Sequence, residues 1–295
     1  MSKKIFIIIL NWNKGDLTID CLESLYKMSY RDFEVILVDN GSVDDSVDRI
    51  SAKYPALKII KNSENLGFTG GNNLGMKEAM KHSPGYIMLL NNDTIVHENM
   101  LSELLKAIES NGEIGMVGPK IYYYGDNIIW SAGTWHDRLL HRFKLIGMGH
   151  KDSGQFSKKR DVDELTACAM LIRREVIEKV GYLNDDYFTI VEDSEYCLRV
   201  KRAGYRLIFV PKSILWHKVS SSSGGEDSPL NIYYSTRNVL YLVKKYYFIS
   251  LPFILFKYYF KCFLFYLLGC KVKAKASLDA VLDFQRGKKG KSEKY

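Results

Sequence analysis

Through the first 120 residues, short runs of branched apolar residues alternate with longer segments whose apolar positions recur every three or four places. Residues 5–10, 33–38, 57–60, 86–90 and 114–117 read as strands. Most of these runs are continuous and rich in Ile, Val and Leu, the pattern of strands covered on both faces of a parallel sheet. Between them, Leu17, Cys21, Leu25 and Met28 share one helical face, and residues 43–54 read as a helix running up to Pro55. Residues 69–81 read as a helix ended by Ser83-Pro84-Gly85, and 99–110 as one stopped by Asn111-Gly112. Repeated strand–helix units predict right-handed crossovers. The expected fold class is α/β, a mostly parallel sheet flanked by helices.

The second half reads differently. Residues 121–163 mix short strand-like pieces, glycines and charge, and give no clear assignment. Beyond them the pattern predicts a strand over 165–172, a helix over 174–180 ended by Gly181, and a helix over 192–203 capped by Gly204. A strand over 206–210 is expected to halt at Pro211, and the Ser/Gly-rich stretch 220–229 reads as a mobile loop. No internal repeat is visible. Residues 246–270 are aromatic and aliphatic, interrupted by Lys257 and Lys261. Their longest uncharged run is too short for a bilayer core of ~30 Å, which needs ~20 apolar residues. Ser250, Lys257 and Lys261 fall on one helical face, and Pro252 either breaks or begins the helix. An in-plane interfacial helix fits best; a core-packing helix, or a dimerising one that would make a homo-oligomer, is the alternative. The expected organisation is a domain over 1–231, with a nucleotide-binding half to about 120 and an acceptor half after it, followed by a helical, basic region over 232–295.

Composition sharpens this only in places. Hydrophobic content of 46% and charged content of 26% are ordinary, whereas 20 Tyr and 14 Phe, many near the C-terminus, are not. Five scattered cysteines without a C-x-x-C pair argue against a disulfide framework or zinc knuckle and for a reducing compartment. The apolar run at 5–10 is too short for a signal peptide's core and lacks a cleavage site, so it reads as the first strand of a cytoplasmic protein. The net charge of +8 matters less than its placement, since lysines gather at 244–245, 257, 261, 271–275 and 288–294, around the apolar stretch. That favours the anionic inner face of a membrane over nucleic acid, for which no motif is present. The last eight residues, 288–295, read as a solvated basic tail.

Candidate chemistry sits where strands run out. Asp39 and Asp93 each follow a core strand, and open α/β sheets bind ligands in the crevice beyond those strand ends. Such an acid can accept a hydrogen bond from a nucleobase or hold a metal; each can equally cap the next helix. In the stretch from Val38 to Ser46, a carboxylate, a turn and a helix start suit an imide N–H and a phosphate. The stretch from Asn62 to Asn73 contributes glycines, which let backbone approach a ligand, and neutral amides. It is not a dinucleotide fingerprint, because after the first strand the chain has Asn11-Trp12-Asn13-Lys14-Gly15 instead of G-x-G-x-x-G. Asn91-Asn92-Asp93 offers one carboxylate to a divalent cation. Glu192, Asp193 and Glu195 lie at a predicted helix N-terminus, where acids suit the macrodipole or one of them serves as a general base. His217 follows a strand and precedes the Ser/Gly-rich loop.

Together these pieces resemble the inverting family 2 glycosyltransferases of the Rossmann-like GT-A fold, particularly their rhamnosyltransferase-like branch. The matching pieces are Ile7 to Asn13, Val38-Asp39-Asn40-Gly41-Ser42, Asn65-Leu66-Gly67-Phe68, Leu90-Asn91-Asn92-Asp93, Glu192-Asp193 and Trp216-His217, in that order. The resemblance implies that Asp39 binds the base of a nucleotide-sugar donor, with Asn11, Asn65, Gly67, Asn91 and Asn92 around it. It implies that Asp93, with His217, holds Mg2+ or Mn2+ at the diphosphate; the family's D-x-D motif has asparagine here at its first position. Asp193 would be the catalytic base, with Glu192 beside it as second candidate. Arg237, in Tyr233-Tyr234-Ser235-Thr236-Arg237-Asn238, would face the donor phosphates. The implied function is metal-dependent transfer of a sugar from dTDP-rhamnose or a UDP-sugar to a hydroxyl of a glycan or lipid-linked acceptor in cell-surface polysaccharide synthesis, peripheral on the inner membrane face. The alternatives are a sugar-phosphate nucleotidylyltransferase, which should carry a Gly/Arg-rich phosphate loop after the first strand, and a non-enzymatic membrane-associated nucleotide-sugar-binding module.

Overall fold

The computed structural model describes residues 4–137, 139–219 and 227–295. Its first half runs β1 (Ile5–Asn11), α1 (Gly15–Leu25), β2 (Phe33–Asp39), α2 (Ser46–Lys53), β3 (Lys58–Lys61), α3 (Gly67–Met80), β4 (Tyr86–Asn91), β5 (Thr94–Val96), α4 (Met100–Glu109) and β6 (Ile114–Tyr123). Then come β7 (Ile129–Ser131), β8 (Thr134–Asp137), β9 (Arg142–Leu145), β10 (Arg160–Asp161), β11 (Ala169–Arg173), α5 (Arg174–Val180), α6 (Glu192–Arg202) and β12 (Arg206–His217). Three helices close the chain: α7 (Pro229–Tyr246), α8 (Leu251–Leu267) and α9 (Lys271–Gln285).

The central sheet has the order β10-β12-β6-β11-β4-β1-β2-β3. Strands β3, β2, β1 and β4 are parallel, as are β6 and β12, while β11 runs antiparallel between β4 and β6. The continuous apolar run of β1 splits by pleat. Ile5, Ile7 and Ile9 pack with α1, α2 and α4, whereas Phe6 and Ile8 pack with α3, α5 and α6. Gly71 and Gly75 let α3 lie flat on that sheet, since a Cβ there would come within 2.3 Å of Leu10 and 2.4 Å of Ile8.

Several expectations change. The strand predicted over 165–172 begins only at Ala169, because the residues before it bond to the start of α6. Pro211 does not end β12; the strand carries on to His217 through a register shift between Val210 and Ile214. The helix expected from residue 43 starts at Ser46, with Asp44 Oδ1 accepting from the Ser46 N–H and hydroxyl. An acid therefore occupies the helix start that was expected to face phosphate. The loop predicted over 220–229 lies largely outside the described residues, and the boundary at 231/232 falls inside α7.

The C-terminal helical region is present and packs on the segment before α6. Val239, Leu240, Leu242 and Val243 of α7 share a core with Ile254 and Tyr258 of α8, Val281 and Phe284 of α9, and Tyr187 and Val191 from the segment before α6. Phe253, Phe256, Phe260 and Phe263 of α8 point outward. Lys257 turns inward and donates to the Leu140 carbonyl at 2.9 Å, so the lysine stripe faces the β8–β9 hairpin. The continuous stretch Phe248–Leu267, 20 residues with both lysines included, is long and apolar enough to cross a membrane by length and composition, although the uncharged run alone is not. The basic tail follows the surface of the fold, its lysines exposed but several of its groups paired. Lys289 pairs with Asp186 at 2.7 Å, the Ser292 N–H donates to the Tyr234 hydroxyl at 2.8 Å, and Tyr295 stacks on Tyr233 at 4.6 Å.

Candidate active site

Strand register, parallel and antiparallel, sets the site. Asn11 is in register with Asp39, Leu10 with Asn91, and Ala169 with Leu90, so the ends of β1, β2 and β4 and the start of β11 meet on one edge. His217, paired with Thr94, brings the end of β12 to the same edge.

A polar chain runs along this edge. Asn11 Nδ2 donates to Asp39 Oδ1 at 2.8 Å, and the Ser42 hydroxyl donates to the same oxygen at 2.5 Å. The Ser42 N–H donates to Asp39 Oδ2 at 3.1 Å. An ionised carboxylate accepts about four hydrogen bonds, so buried Asp39 keeps capacity for one N–H from a ligand. The Thr18 hydroxyl donates to Asn11 Oδ1 at 2.7 Å and accepts from Asn92 Nδ2 at 2.9 Å, which ties the Asp39 end to the Asn91-Asn92-Asp93 corner. Asn65 Oδ1 accepts from the Gly67 N–H at 2.8 Å and from Asn40 Nδ2 at 2.9 Å, so it shapes the turn into α3. Gly67 has φ of +75°, and a Cβ there would come within 2.3 Å of the Phe188 carbonyl. Packing on Phe188 and the positive φ by themselves require glycine there.

Asp93 and His217 meet. Asp93 Oδ1 lies 3.0 Å from His217 Nε2, and both side chains are buried. Burial works against charge on His217, but the Cys168 sulfur and the Asp93 carboxylate override it and raise the imidazole to about 10. Burial pushes the Cys168 thiol itself up, so it is neutral at pH 7 and Asp93 is the partner that counts. Trp130 packs edge-on against the His217 ring at 4.6 Å. His217 Nδ1 has no hydrogen-bond partner among the described residues. One carboxylate and one imidazole, whose Nδ1 is the orphaned nitrogen, fit a hard divalent cation that displaces the imidazole's proton, keeps waters and takes its other ligands from substrate phosphates. A closed protein cage of three or more acidic, His or Cys ligands is not present among the described residues.

Asp193 is joined to this corner by backbone. The Ala167 N–H donates to Asp193 Oδ2 at 3.3 Å, and the Ser194 N–H to Oδ1 at 2.8 Å. The next residue, Cys168, accepts from the Asn91 N–H at 2.9 Å. Burial raises the Asp193 carboxyl against those N–H donors, and burial with the Asp193 charge raises Glu192 well above its usual range. Glu192 is the more enclosed of the two, with Oε2 unpartnered among the described residues, and Asp193 the more accessible. Two β-branched residues before them are left-handed, Ile190 at φ 66° and Val191 at φ 77°. Asn238 holds this turn by donating to the Thr189 and Ile190 carbonyls at 2.8 and 2.7 Å.

Arg237 does not join them. Its guanidinium is fully buried, 5.3 and 4.9 Å from the Tyr233 and Tyr234 ring centroids, and donates to Asn238 Oδ1 at 3.1 Å. The tyrosine cage keeps it from facing donor phosphates as expected. Sequence reasoning also passed over Thr18 and Cys168, and it quoted Asn238 beside Arg237 without a role; what each does depends on partners far along the chain. Asn40 and Ser42 stood inside a quoted motif and went unassigned.

The model of the family described as "Glycosyl transferase family 2" matches residues 6–181. The chain belongs to that family. An uncharacterized protein of Sinorhizobium fredii is 30% identical over 220 residues, covering 70% of this chain but only 23% of that protein. The N-acetylglucosaminyl-diphospho-decaprenol L-rhamnosyltransferase of Mycobacterium tuberculosis is 24% identical, covering 76% of this chain and 79% of that enzyme. Among solved structures, GalNAc-T7 with UDP, GalNAc and Mn2+ superposes with a TM-score of 0.63 at 18% identity, over 81% of this chain and 48% of that one. The GT-A-like fold follows from these likenesses and from the sheet order; the site residues rest on the geometry above. Family membership also removes the nucleotidylyltransferase reading.

Proposed function

We propose that this family 2 member is an inverting, divalent-metal-dependent glycosyltransferase. It moves a sugar from dTDP-rhamnose or a UDP-sugar to a hydroxyl of a glycan or lipid-linked acceptor in cell-surface polysaccharide synthesis. One observation carries the reading: Asp93 and His217 lie 3.0 Å apart, and the adjoining segment Ala167-Cys168 donates to Asp193. A cation-binding pair and a candidate base thus share one edge of the sheet. The rhamnosyltransferase relative supports a rhamnosyl donor, and the UDP of the GalNAc-T7 structure supports a uridine one.

Asp39 accepts the imide N–H of the base, held for it by Asn11 and Ser42. Asp93 and His217 would hold Mg2+ or Mn2+, which when bound supplies charge neutralisation at the leaving diphosphate. Asp193 takes the proton of the acceptor hydroxyl as that oxygen attacks the anomeric carbon and the nucleoside diphosphate departs from the opposite face. A single displacement inverts the configuration. A free carboxylate is far less basic than an alkoxide, so the proton moves late, as the new bond forms.

The outward aromatic face of α8, with lysines around it, is read as a contact with the anionic inner face of the cell membrane, which would keep the enzyme peripheral and near lipid-linked acceptors. Residues up to about 228 form the transferase body in this reading, and α7–α9 its membrane-facing layer. Release of nucleoside diphosphate from a panel of nucleotide sugars, with Mn2+ and then with EDTA, tests it. Absence of release from every donor in the presence of lipid-linked and glycan acceptors would overturn the transferase reading, and release that ignores EDTA would overturn the metal.

A further inference from the structure

The hydrogen bonds that join Asp39 to Asn92 have directions as well as lengths, and each direction is forced by the one before it. The Asp39 carboxylate has only acceptors to offer its neighbours. Asn11 therefore turns Nδ2 toward Asp39 Oδ1, at 2.8 Å. Its second amide hydrogen goes to the Ser42 hydroxyl at 3.1 Å, whose own proton is already given to Asp39. Asn11 Oδ1 is left facing the Thr18 hydroxyl at 2.7 Å, and two oxygens that close need a proton between them. A hydroxyl has one proton. The Lys14 carbonyl, farther from Thr18 at 3.1 Å, takes at most a share of it. Toward Asn92 the Thr18 oxygen can then only accept, and Asn92 supplies Nδ2 at 2.9 Å. The Asn92 amide is thereby fixed with its carbonyl Oδ1 turned away from Thr18. Thr18 and Asn11 are fully buried, whereas Asn92 is partly exposed, so Oδ1 is the end that a ligand can meet.

We propose that Thr18 is a positioning residue for the donor: it relays the acceptor character of Asp39 to Asn92 and makes that amide present an oxygen, not an N–H, to a hydroxyl of the bound nucleotide. The inference rests on the nucleotide-sugar reading of this edge. An outward amide nitrogen would offer its hydrogens to phosphate oxygens. An outward carbonyl repels those oxygens and accepts from a hydroxyl instead. Asn92 stands next to Asp93 in the chain and is tied to Asp39 through Thr18 and Asn11, so the end that takes the base also sets which group faces the nucleotide beside the cation pair. Valine at position 18 would keep the side chain's shape but has no proton to give and no lone pair to receive one, leaving the Asn92 amide free to turn.

Two measurements on the full chain test the relay. Exchange of the Asn92 side-chain amide with water, read by NMR of the nitrogen-labelled protein and assigned by its loss in Asn92→Ala, needs no ligand. It should be slow in the wild type and in Thr18→Ser, and at least about tenfold faster in Thr18→Val. Equal exchange in the wild type and Thr18→Val overturns the relay. The affinities for UDP and dTDP, measured by calorimetry with Mn2+, test its use. Thr18→Val should bind the tighter of the two about 3–10-fold more weakly, with Thr18→Ser within about twofold of the wild type. In an Asn92→Ala background Thr18→Val should cost nothing further. A full loss there would mean that Thr18 acts through Asn11 alone, and unchanged affinity in Thr18→Val would mean that the nucleotide ignores the orientation of Asn92; either overturns the proposal. A loss that vanishes at saturating Mn2+ would make Oδ1 a cation ligand and overturn the hydroxyl contact. Thr18→Ala, which removes the hydroxyl without placing a methyl there, gives the same two readouts if Thr18→Val does not fold. A wild type that binds neither nucleotide overturns the donor reading, whereas the exchange rates still decide whether Thr18 holds Asn92.

Discussion

Asp93 and His217, 124 residues apart in sequence, face each other at 3.0 Å with their side chains almost wholly buried. The contact exists because β5 pairs with β12, setting Thr94 opposite His217. Removing either residue should weaken Mn2+-dependent UDP binding. Changing an outer-shell partner of a metal site typically costs about 10–100-fold, so losing a direct ligand should cost at least tenfold. Calorimetry of Asp93→Ala and His217→Ala with and without EDTA checks this, and affinity equal to wild type in both variants would empty the site of its metal.

Asp193→Asn keeps the shape of the side chain and its Ala167 contact but cannot take a proton. Turnover should fall by about 10²–10⁴-fold while donor affinity stays near wild type. A parallel loss of donor affinity would mean that Asp193 shapes the binding site instead of serving as base.

Asn238 tests whether the strained turn before α6 matters. Its amide holds the Thr189 and Ile190 carbonyls, and left-handed Ile190 and Val191 aim the helix start that carries Asp193. Non-glycine residues in such conformations persist when their surroundings over-determine them. Asn238→Ala should destabilise the fold by about 1 kcal/mol through the loss of hydrogen bonds to two part-buried carbonyls and lower kcat more than donor affinity. A variant with lower Tm but unchanged kcat would limit Asn238 to stability.

Acid should loosen the segment packed over β6 and β7. Burial alone would raise Asp152, but hydrogen bonds from Lys120, Tyr122 and the Gly154 N–H hold it down at about 2. The unfolded value is about 3.9, so this stabilisation is complete above that pH and is lost as pH falls through the folded value. Lys120→Met should flatten the dependence of Tm on pH between about 5 and 2. An equally steep dependence in the variant would assign acid sensitivity to other carboxylates.

Much of this was legible because it depends on pattern. Continuous branched runs located β1, β2 and β4, and an acid at the end of a buried strand located Asp39 and Asp93. Features set by long-range pairing were hidden. Pro211 reads locally as a stop, yet it sits at a register shift in a strand already committed to β6. Arg237 reads as a phosphate ligand until two tyrosines close around it. The tail from 288 onward is as lysine-rich as a disordered tail, and its seat comes from partners distant in sequence, among them Asp186, Asp279 and the tyrosines of α7.

That packing also changes how membrane binding must be tested. Deleting residues from 246 onward would remove Ile254, Tyr258, Val281 and Phe284, which share a core with Tyr187 and α7, so release from lipid would report a broken fold. Phe253, Phe256, Phe260 and Phe263 are 51–66% exposed and can be changed without opening that core. A fully buried phenylalanine contributes roughly 1.5–3 kcal/mol, and partial insertion of four rings should supply at least about 4 kcal/mol, or about a thousandfold in partitioning. Replacing all four with serine should abolish flotation with phosphatidylglycerol-containing liposomes while Tm holds. High salt should weaken wild-type binding only in part, because the lysines contribute through a field that salt screens and the rings do not. Undiminished flotation of the folded quadruple variant would move the contact away from α8, and a dimer that dissociates on the same substitutions would make this face a protein interface.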